Sequence, residues 1–235
     1  MNKITQAIIM CGGKGTRIKS ITKDLIPKCM IKFNDKSFLE ILINKINNIG
    51  IKKIIFCTGH HSDQIERHIN DLNSYKSYDD IKFLVSKENF PLGTAGALKL
   101  CSDLLEGKNS IILNGDTYVN YNLNNYINWH INQNYKISIM LSFIINASKF
   151  GSVSLIKSKI KNFEEKQSHF LKYVYNGIFI SNNEDLEKIE LKFSNVEDTF
   201  FQNNINKLYG YKTFCSFYDI GTLEGYKRAQ KYLVV

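Results

Sequence analysis

The stretch that decides the fold is Ala7-Ile8-Ile9-Met10-Cys11-Gly12-Gly13-Lys14-Gly15-Thr16-Arg17. Its first four residues form a continuous apolar run, which is typical of a strand buried on both faces of a parallel sheet. The glycines that follow allow the backbone to turn tightly and to point its N–H groups at an anion. We therefore predict a buried strand that ends in a phosphate-binding loop.

Two common phosphate-binding loops are excluded by the residues around these glycines. A Walker loop requires glycine, four residues and then Gly-Lys-Ser/Thr, whereas Lys14 is followed here by Gly15. The dinucleotide fingerprint of Rossmann folds requires a third glycine at a position that Ile18 occupies in this chain. A phosphate-binding loop of another class is therefore indicated.

Strand and helix patterns alternate after this loop. Ser37-Phe38-Leu39-Glu40 has the spacing of a capping box and opens an amphipathic helix that Gly50 ends. We predict strands at 51–58, 81–86, 110–114, 136–145, 152–156 and 173–180, and helices at 63–72, 94–105, 198–208 and 223–233. The alternation predicts an α/β fold with a Rossmann-like, doubly wound, mostly parallel sheet, and the less regular second half is expected to form a small lobe.

The bulk composition limits the class of protein. A length of 235 residues suits one large domain, and 43% hydrophobic residues provide material for a sizeable core. The formal net charge of +9 fits either nucleic-acid binding or an enzyme whose substrates are phosphates. Because the lysines are spread along the chain and interleaved with acidic residues, we favour phosphate substrates and expect no nucleic-acid partner.

Cysteine spacing and hydropathy indicate the compartment. The five cysteines, Cys11, Cys29, Cys57, Cys101 and Cys215, are odd in number, widely spaced and without a C-x-x-C pair. This pattern predicts neither a disulfide framework nor a zinc site, and it favours a reducing compartment. No apolar stretch approaches the length of a membrane span and no signal-peptide layout is present, so we expect a cytoplasmic protein without a membrane partner.

The first loop, together with Pro27-Lys28-Cys29-Met30, resembles that of the sugar 1-phosphate nucleotidyltransferases. The resemblance implies that Arg17 faces the β and γ phosphates and that Lys28 contacts the α phosphate of a nucleoside triphosphate. It also implies that the loop residues Gly12, Gly13, Lys14, Gly15 and Thr16 wrap the triphosphate. The alternative is a tight strand-to-helix turn with a solvated basic pair.

The sequence departs from this family between the arginine and the lysine. The family usually has proline where this chain has Ser20, and its gap between the two basic residues is one residue shorter than the gap from Arg17 to Lys28. We therefore expect the path of the loop to differ over this stretch.

The stretch from Glu88 to Leu98 resembles the family's second signature, a loop that closes over the nucleobase before a helix. The resemblance implies base contacts near Glu88 and Gly93. Gly93 and Gly96 would allow a flat base to approach the backbone, and Thr94 can cap the helix. The alternative is a plain helix start whose small residues permit close packing.

Two aspartates are predicted to hold a metal ion. Asp116 follows the predicted strand at 110–114, at the edge where open parallel sheets bind their ligands. A carboxylate there suits Mg²⁺, which prefers oxygen ligands and bridges protein to phosphate. The segment around Asp219 resembles the family's late motif, which carries the second metal-binding aspartate. Either residue alone could instead be a turn or capping residue.

The resemblance extends to the second half of the chain. It implies that Glu165 binds sugar hydroxyls, that Lys166 binds the sugar phosphate, and that Gly151 and Asn176 shape the sugar pocket. We accordingly expect a single nucleotidyltransferase domain over residues 1–235, in which 1–135 mainly binds nucleotide and 136–235 mainly binds sugar.

The resemblance predicts direct attack of a sugar 1-phosphate on the α-phosphorus of a nucleoside triphosphate, with Mg²⁺ as cofactor and no general base. The five histidines lie in no catalytic spacing, and His60-His61 is the only pair that merits a test. The loop motifs look closest to those of the D-glycero-D-manno-heptose 1-phosphate guanylyltransferases, so we favour GTP and that heptose phosphate. The alternatives are mannose 1-phosphate with GTP, glucose 1-phosphate with a pyrimidine triphosphate, a cytidylyltransferase of a non-sugar phosphate, and a catalytically silent nucleotide-binding regulator. A homo-oligomer is also possible.

Overall fold

A computed structural model describes residues 3–145, 151–164 and 171–233. The strands are β1 (Gln6–Met10), β2 (Lys32–Phe33), β3 (Lys36–Ser37), β4 (Lys53–Thr58), β5 (Lys82–Lys87), β6 (Asn109–Asn114), β7 (Thr117–Val119), β8 (Ile137–Ile145), β9 (Ser152–Ile156), β10 (Lys159–Glu164), β11 (Leu171–Asn182), β12 (Leu208–Thr213) and β13 (Phe217–Asp219). The helices are α1 (Lys19–Thr22), α2 (Phe38–Asn47), α3 (Ser62–Leu72), α4 (Gly93–Leu100), α5 (Leu123–Asn132), α6 (Asn183–Glu187) and α7 (Leu223–Leu233). None of these described helices combines the length and apolar character that a bilayer crossing requires.

A nine-stranded sheet in the order β5-β4-β1-β6-β11-β8-β12-β10-β9 forms the centre of the fold. Its first four strands are parallel, with β1 between β4 and β6. Successive side chains of β1 enter opposite cores, because Ile8 packs in one apolar cluster while Ala7 and Ile9 pack in the other. The predicted α/β fold and its double-sided burial are therefore confirmed.

The second half of the chain extends the same sheet with mixed strand directions. The long strand β11 runs antiparallel to both β6 and β8. Strand β12 is parallel to β8, and β10 is antiparallel to β12 and β9. The parallel arrangement predicted for the sheet thus belongs mainly to its first half.

The predicted helix at 198–208 is interrupted and is not a regular α-helix. The chain forms a π-helix at Val196–Phe201 that continues to Asn203, a turn at Asn204 and a 3₁₀ turn at Ile205–Lys207, and strand β12 begins at Leu208. Strand β12, which the sequence pattern did not predict, pairs with β8 in register from Leu208 opposite Ile137 to Thr213 opposite Ser142. The predicted helix at 94–105 also ends earlier, at Leu100, before a 3₁₀ turn.

Gly210 in β12 gives a test of this packing. A Cβ added there would lie 2.5 Å from Leu155, 2.6 Å from Leu141 and 2.9 Å from Ile160, so the missing side chain makes room for three aliphatic groups. We expect Gly210→Ala to lower the free energy of unfolding by about 1–3 kcal/mol through overpacking.

Urea denaturation would measure this change. Gly13→Ala is the matched control, because an added Cβ there meets only the Lys28 amine, at 3.8 Å. An equal or smaller loss in Gly210→Ala than in Gly13→Ala would contradict the packing account.

Candidate active site

The loop after β1 is held between two neighbouring strands. The Cys11 N–H donates to the Cys57 carbonyl at the end of β4, at 2.7 Å. Gly15 adopts a left-handed conformation with φ of 62°, which glycine takes without a steric penalty, and its carbonyl accepts from the Ile18 N–H. Because Ile18 is buried, the turn after Gly15 is anchored while Arg17 stays exposed.

A cavity of about 590 Å³ opens beside this loop, at the carboxyl ends of β1, β4 and β6. This volume is typical of small-molecule sites, and the edge is where open α/β sheets bind their ligands. The predicted residues that line it are Gly12, Gly13, Lys14, Lys28, Glu88, Gly93, Thr94 and Asp116. Gly15, Thr16 and Arg17 continue the loop beyond the lining, and Asp219 lies behind Asp116.

Lys28, Asp116 and Asp219 meet at one end of the cavity. The Lys28 amine forms an ion pair with Asp116, and the two side chains are only 18% and 16% exposed. A Cβ added at Gly221 would lie 2.8 Å from Asp219 Oδ1 and 2.9 Å from Asp116 Oδ2. The structure therefore brings together both predicted metal ligands and the predicted phosphate-binding lysine.

Backbone pairing delivers the two aspartates to this position. The Gly115 N–H donates to the Met10 carbonyl at 3.0 Å, which places the following Asp116 beside the end of β1. In the small sheet formed by β7 and β13, Asp219 lies opposite Thr117. The Ile220 N–H then donates to the Asp116 carbonyl at 2.8 Å and holds the two segments together.

The two carboxylates repel each other electrostatically. Burial and the negative charge of Asp116 raise the pKa of Asp219, against the smaller opposing effects of the Gly221 N–H, Arg17 and Lys28. Arg17 therefore lies within electrostatic range of the pair although it does not line the cavity. Adjacent carboxylate oxygens suit a divalent cation, because a hard cation both binds oxygen and removes this repulsion.

Glu88 lines the cavity beside Gly12 and Gly59. Its Oε2 accepts a hydrogen bond from the Leu92 N–H at 3.0 Å, and burial raises the pKa of this carboxyl. Its Oε1 lies against backbone, since a Cβ added at Gly59 or Gly12 would come within 2.4 or 3.2 Å of it. The Glu88 carboxylate is thus a fixed hydrogen-bond acceptor beside Gly12 and Gly59. A flat ring can approach the surface formed by these two glycines.

The structure corrects the reasons given for Gly93, Gly96 and Thr94. A Cβ on Gly93 would lie 2.4 Å from the Ser194 carbonyl oxygen, and one on Gly96 would lie 2.4 Å from the Lys192 carbonyl oxygen. These glycines therefore accommodate another part of the backbone. Thr94 does not cap the helix, because its hydroxyl accepts from the Val196 N–H at 2.8 Å. The contacts of Gly93, Thr94 and Gly96 therefore attach residues 192–196 to the stretch from Glu88 to Leu98.

The sugar-side predictions are only partly within the described residues. Gly151 is exposed just before β9, whereas Glu165 and Lys166 lie outside the residues that the structure describes. Asn176 is buried in β11, and its amide nitrogen donates to the Ser142 hydroxyl at 3.0 Å. Within the described chain, the Asn176 amide oxygen has no hydrogen-bond partner. All four roles remain predictions.

Sequence reasoning missed several residues at the cavity. Gly59 follows β4 at the same sheet edge as Gly12, so the end of a second parallel strand was a usable signal. Phe193 and Asn195 reach the cavity from the second half of the chain, which no local pattern indicates. Partial desolvation and the charges of Asp198 and Asp116 also raise the pKa of Glu197, which places a further carboxyl within electrostatic range of the aspartates.

Comparison with known proteins identifies the family of the chain. The sequence pattern of the nucleotidyl transferase family matches residues 6–234. A D-glycero-alpha-D-manno-heptose 1-phosphate guanylyltransferase from Aneurinibacillus thermoaerophilus is 31% identical over 232 residues, covering 97% of this chain and 98% of its own. The protein of the same name from Campylobacter jejuni is 32% identical over 224 residues, covering 94% of this chain and 96% of its own.

A solved structure has the same fold over nearly the whole chain. The crystal structure of HddC from Yersinia pseudotuberculosis gives a TM-score of 0.86 at 27% identity, covering 98% of this chain and 100% of that chain. The structure of the same protein complexed with GMP-PN gives a TM-score of 0.84.

The paired carboxylates generate a prediction about stability. Because the pKa of Asp219 is raised in the folded state, its ionised form destabilises the fold, and the free energy of unfolding rises as pH falls through that pKa. Asp219→Asn removes the charge while its side-chain oxygen can still accept from the Gly221 N–H. We therefore expect this variant to be more stable than the wild type at pH 7.

Asp116→Asn is the matched comparison, since it relieves the same repulsion but leaves the amine of Lys28 without its carboxylate partner. Urea denaturation at pH 7 should rank Asp219→Asn above Asp116→Asn. The reverse order, or a destabilised Asp219→Asn, would contradict this electrostatic account.

Proposed function

The chain belongs to the nucleotidyl transferase family, and we propose that it joins GTP to D-glycero-D-manno-heptose 1-phosphate, giving a GDP-sugar and pyrophosphate. The observation that carries the proposal is the meeting of Lys28, Asp116 and Asp219 beside the glycine loop, at a cavity that Glu88 also lines. The names of the relatives that match nearly the whole chain support this choice of nucleotide and sugar.

The proposed reaction is a single displacement at the α-phosphorus of GTP. An oxygen of the sugar phosphate forms a bond to the α-phosphorus. The bond between the α-phosphorus and the oxygen that bridges it to the β-phosphorus breaks, and pyrophosphate leaves with that oxygen. The attacking oxygen is already anionic at neutral pH, so no general base is needed. Catalysis then depends on positioning the two substrates and on neutralising charge.

Lys28 would neutralise the α phosphate. Its amine lies close to the glycine loop, 3.8 Å from the position of a Cβ on Gly13, and is held by Asp116 in the free protein. Asp116 and Asp219 would hold the divalent cation, for which we propose Mg²⁺. When bound, this cation would supply positive charge to the phosphate oxygens. Lys28 would then be released from its carboxylate partner to contact the substrate.

The glycine loop and Arg17 would bind the rest of the triphosphate. Gly12, Gly13 and Lys14 line the cavity, and their backbone N–H groups would donate to phosphate oxygens. Arg17 is exposed beyond them, and its guanidinium can donate to two oxygens of the β and γ phosphates at once.

A covalent intermediate on Cys11, the residue that precedes the glycine loop, is disfavoured. A hydrogen-bonding contact with Cys29 and burial raise the pKa of the Cys11 thiol well above its usual range. Because the thiolate is the nucleophilic form, this raised pKa disfavours attack by Cys11. We propose direct transfer between the two substrates.

Glu88 supports guanine as the base. The Watson–Crick edge of guanine presents two adjacent donors, N1–H and the N2 amino group, whereas an ionised carboxylate only accepts. Glu88 has one oxygen committed to Leu92 and the other directed along Gly12 and Gly59. Phe90 and Phe193, which are 66% and 67% exposed, line the same cavity and offer aromatic surface for a purine.

The sugar end of the proposal depends on the second half of the chain. We propose that Glu165 binds sugar hydroxyls, that Lys166 binds the sugar phosphate, and that Gly151 and Asn176 shape the pocket. Among the described residues, the buried amide oxygen of Asn176 has no hydrogen-bond partner, and this supports its proposed role because such an acceptor suits a hydroxyl of a ligand.

Pyrophosphate release with purified protein tests the function directly. GTP, ATP, CTP, UTP and dTTP would each be paired with heptose, mannose and glucose 1-phosphates, with and without Mg²⁺. We expect the highest kcat/KM for GTP with the heptose phosphate, and a loss of at least about 100-fold in Lys28→Met and Asp116→Asn, since removal of a charge-neutralising group costs several kcal/mol.

Other outcomes of this assay discriminate between the alternatives. A preference for mannose 1-phosphate would replace the heptose, and nucleotide binding without turnover for any pair would favour the silent regulator. Full activity in Asp116→Asn would contradict the proposed metal ligands.

Glu88→Gln tests the choice of base. The amide keeps the shape of the side chain but offers only one acceptor, so kcat/KM for GTP should fall by about 10–100-fold, and discrimination against UTP should fall with it. Steady-state kinetics with both nucleotides would measure this, and Glu184→Gln, which changes an exposed residue of α6, is the matched control. An unchanged ratio of GTP to UTP would remove Glu88 from base selection.

A further inference from the structure

Among the described residues, Asp24, His60 and His61 form a second cluster of potential metal ligands, of which His60 also lines the cavity. His60 Nε2 lies 3.3 Å from Asp24 Oδ1, and His61 Nε2 lies 3.0 Å from the Asp24 carbonyl oxygen. The two imidazole rings are 3.9 Å apart between centroids. Each residue offers one ligand atom within 4.8 Å of those of the other two.

We propose that this cluster binds a transition-metal cation of the Zn²⁺ type, with Asp24, His60 and His61 as its protein ligands. Imidazole nitrogen combined with carboxylate oxygen is a typical donor set for zinc. Ligand atoms about 2.0–2.1 Å from a tetrahedral zinc ion are about 3.4 Å apart, close to the spacing between His60 Nε2 and Asp24 Oδ1. A water molecule would complete four-fold coordination.

The backbone around the cluster is already in the conformation that brings the ligands together. Asp24 and His61 are non-glycine residues with φ values of 59° and 56°, and Lys23 has a φ of 49°. Such left-handed residues are uncommon and tend to occur at functional sites. The Gln64 side chain also donates to the Leu25 carbonyl at 2.8 Å, which attaches residues 19–26 to α3.

The charges around the cluster leave one oxygen of Asp24 for a cation. Lys19 contacts the other carboxylate oxygen, Asp24 Oδ2, at 3.2 Å, and the lysine side chain is 53% exposed. A flexible exposed lysine can move away when a cation binds. Lys19→Gln should therefore bind the metal at least as tightly as the wild type.

The location gives the metal a structural consequence. The His60 N–H donates to the Gly12 carbonyl at 3.3 Å, so the cluster is attached to the glycine loop. A bound ion would cross-link residues 19–26, which depart from the family pattern, to this loop and to the start of α3. The proposed ligands Asp24, His60 and His61 are distinct from the carboxylate pair of Asp116 and Asp219, although His60 also lines the cavity.

Calorimetric titration of the untagged full chain with Zn²⁺, in excess Mg²⁺, tests the proposal. We expect one ion per chain, and a rise in Tm of about 5 °C or more when free Zn²⁺ is a hundredfold above its Kd. His60→Gln, His61→Asn and Asp24→Asn should each weaken binding at least tenfold, whereas His68→Gln should not. Asparagine is chosen at positions 24 and 61 because it tolerates left-handed backbone.

Two further readouts locate the ion. Co²⁺ in place of Zn²⁺ should give visible d–d bands without the near-ultraviolet band of thiolate ligands. Zn²⁺ should also slow tryptic cleavage after Lys23 in the wild type but not in His60→Gln.

The proposal is overturned if the folded wild type binds no Zn²⁺, or if folded His60→Gln and His61→Asn bind it as tightly as the wild type. A thiolate band with Co²⁺ would overturn it as well, by placing the ion on cysteines such as Cys11 and Cys29. Circular dichroism of each variant, with the nearly isosteric Asp24→Asn as the mildest change, separates loss of the site from loss of folding.

Discussion

The carboxyl end of β1 is fixed by backbone hydrogen bonds on both sides, and the site is built around this point. The Cys11 N–H reaches the end of β4, and the Gly115 N–H reaches the Met10 carbonyl. A Cβ on Gly115 would lie 2.6 Å from that carbonyl oxygen, so only glycine permits this approach. The glycine loop, the turn of His60 and His61, and the metal-ligand candidate Asp116 all start from the three strands joined here.

The charge arrangement in the cavity favours ligand binding over stability of the free protein. Asp116 is balanced by Lys28, but Asp219 has its ionised form disfavoured by burial and by Asp116. Active sites commonly retain such repulsion because a bound ligand removes it. Here a divalent cation and a triphosphate would jointly neutralise the carboxylates and the basic residues around them.

The first half of the fold could be predicted because its signals are local. Apolar runs identify strands buried on both faces, and Asp116 follows from its place after such a run. The second half is governed by contacts distant in sequence. Strand β12 is defined by its pairing with β8, and Gly93 is needed because Ser194 approaches it. Phe193 and Asn195 line the cavity, but no local sequence motif around them indicates this position, so the sequence pattern did not identify them.

Strand β11 ties the first half of the sheet to the rest of the chain. It covers the open side of β6 from Ile178 to Asn182 and pairs along its other side with β8. Without it, β6 would become an edge strand whose unpaired N–H and C=O groups invite association with other chains. During synthesis, β6 therefore stays exposed on this side until a partner strand about 60 residues later in the chain has left the ribosome.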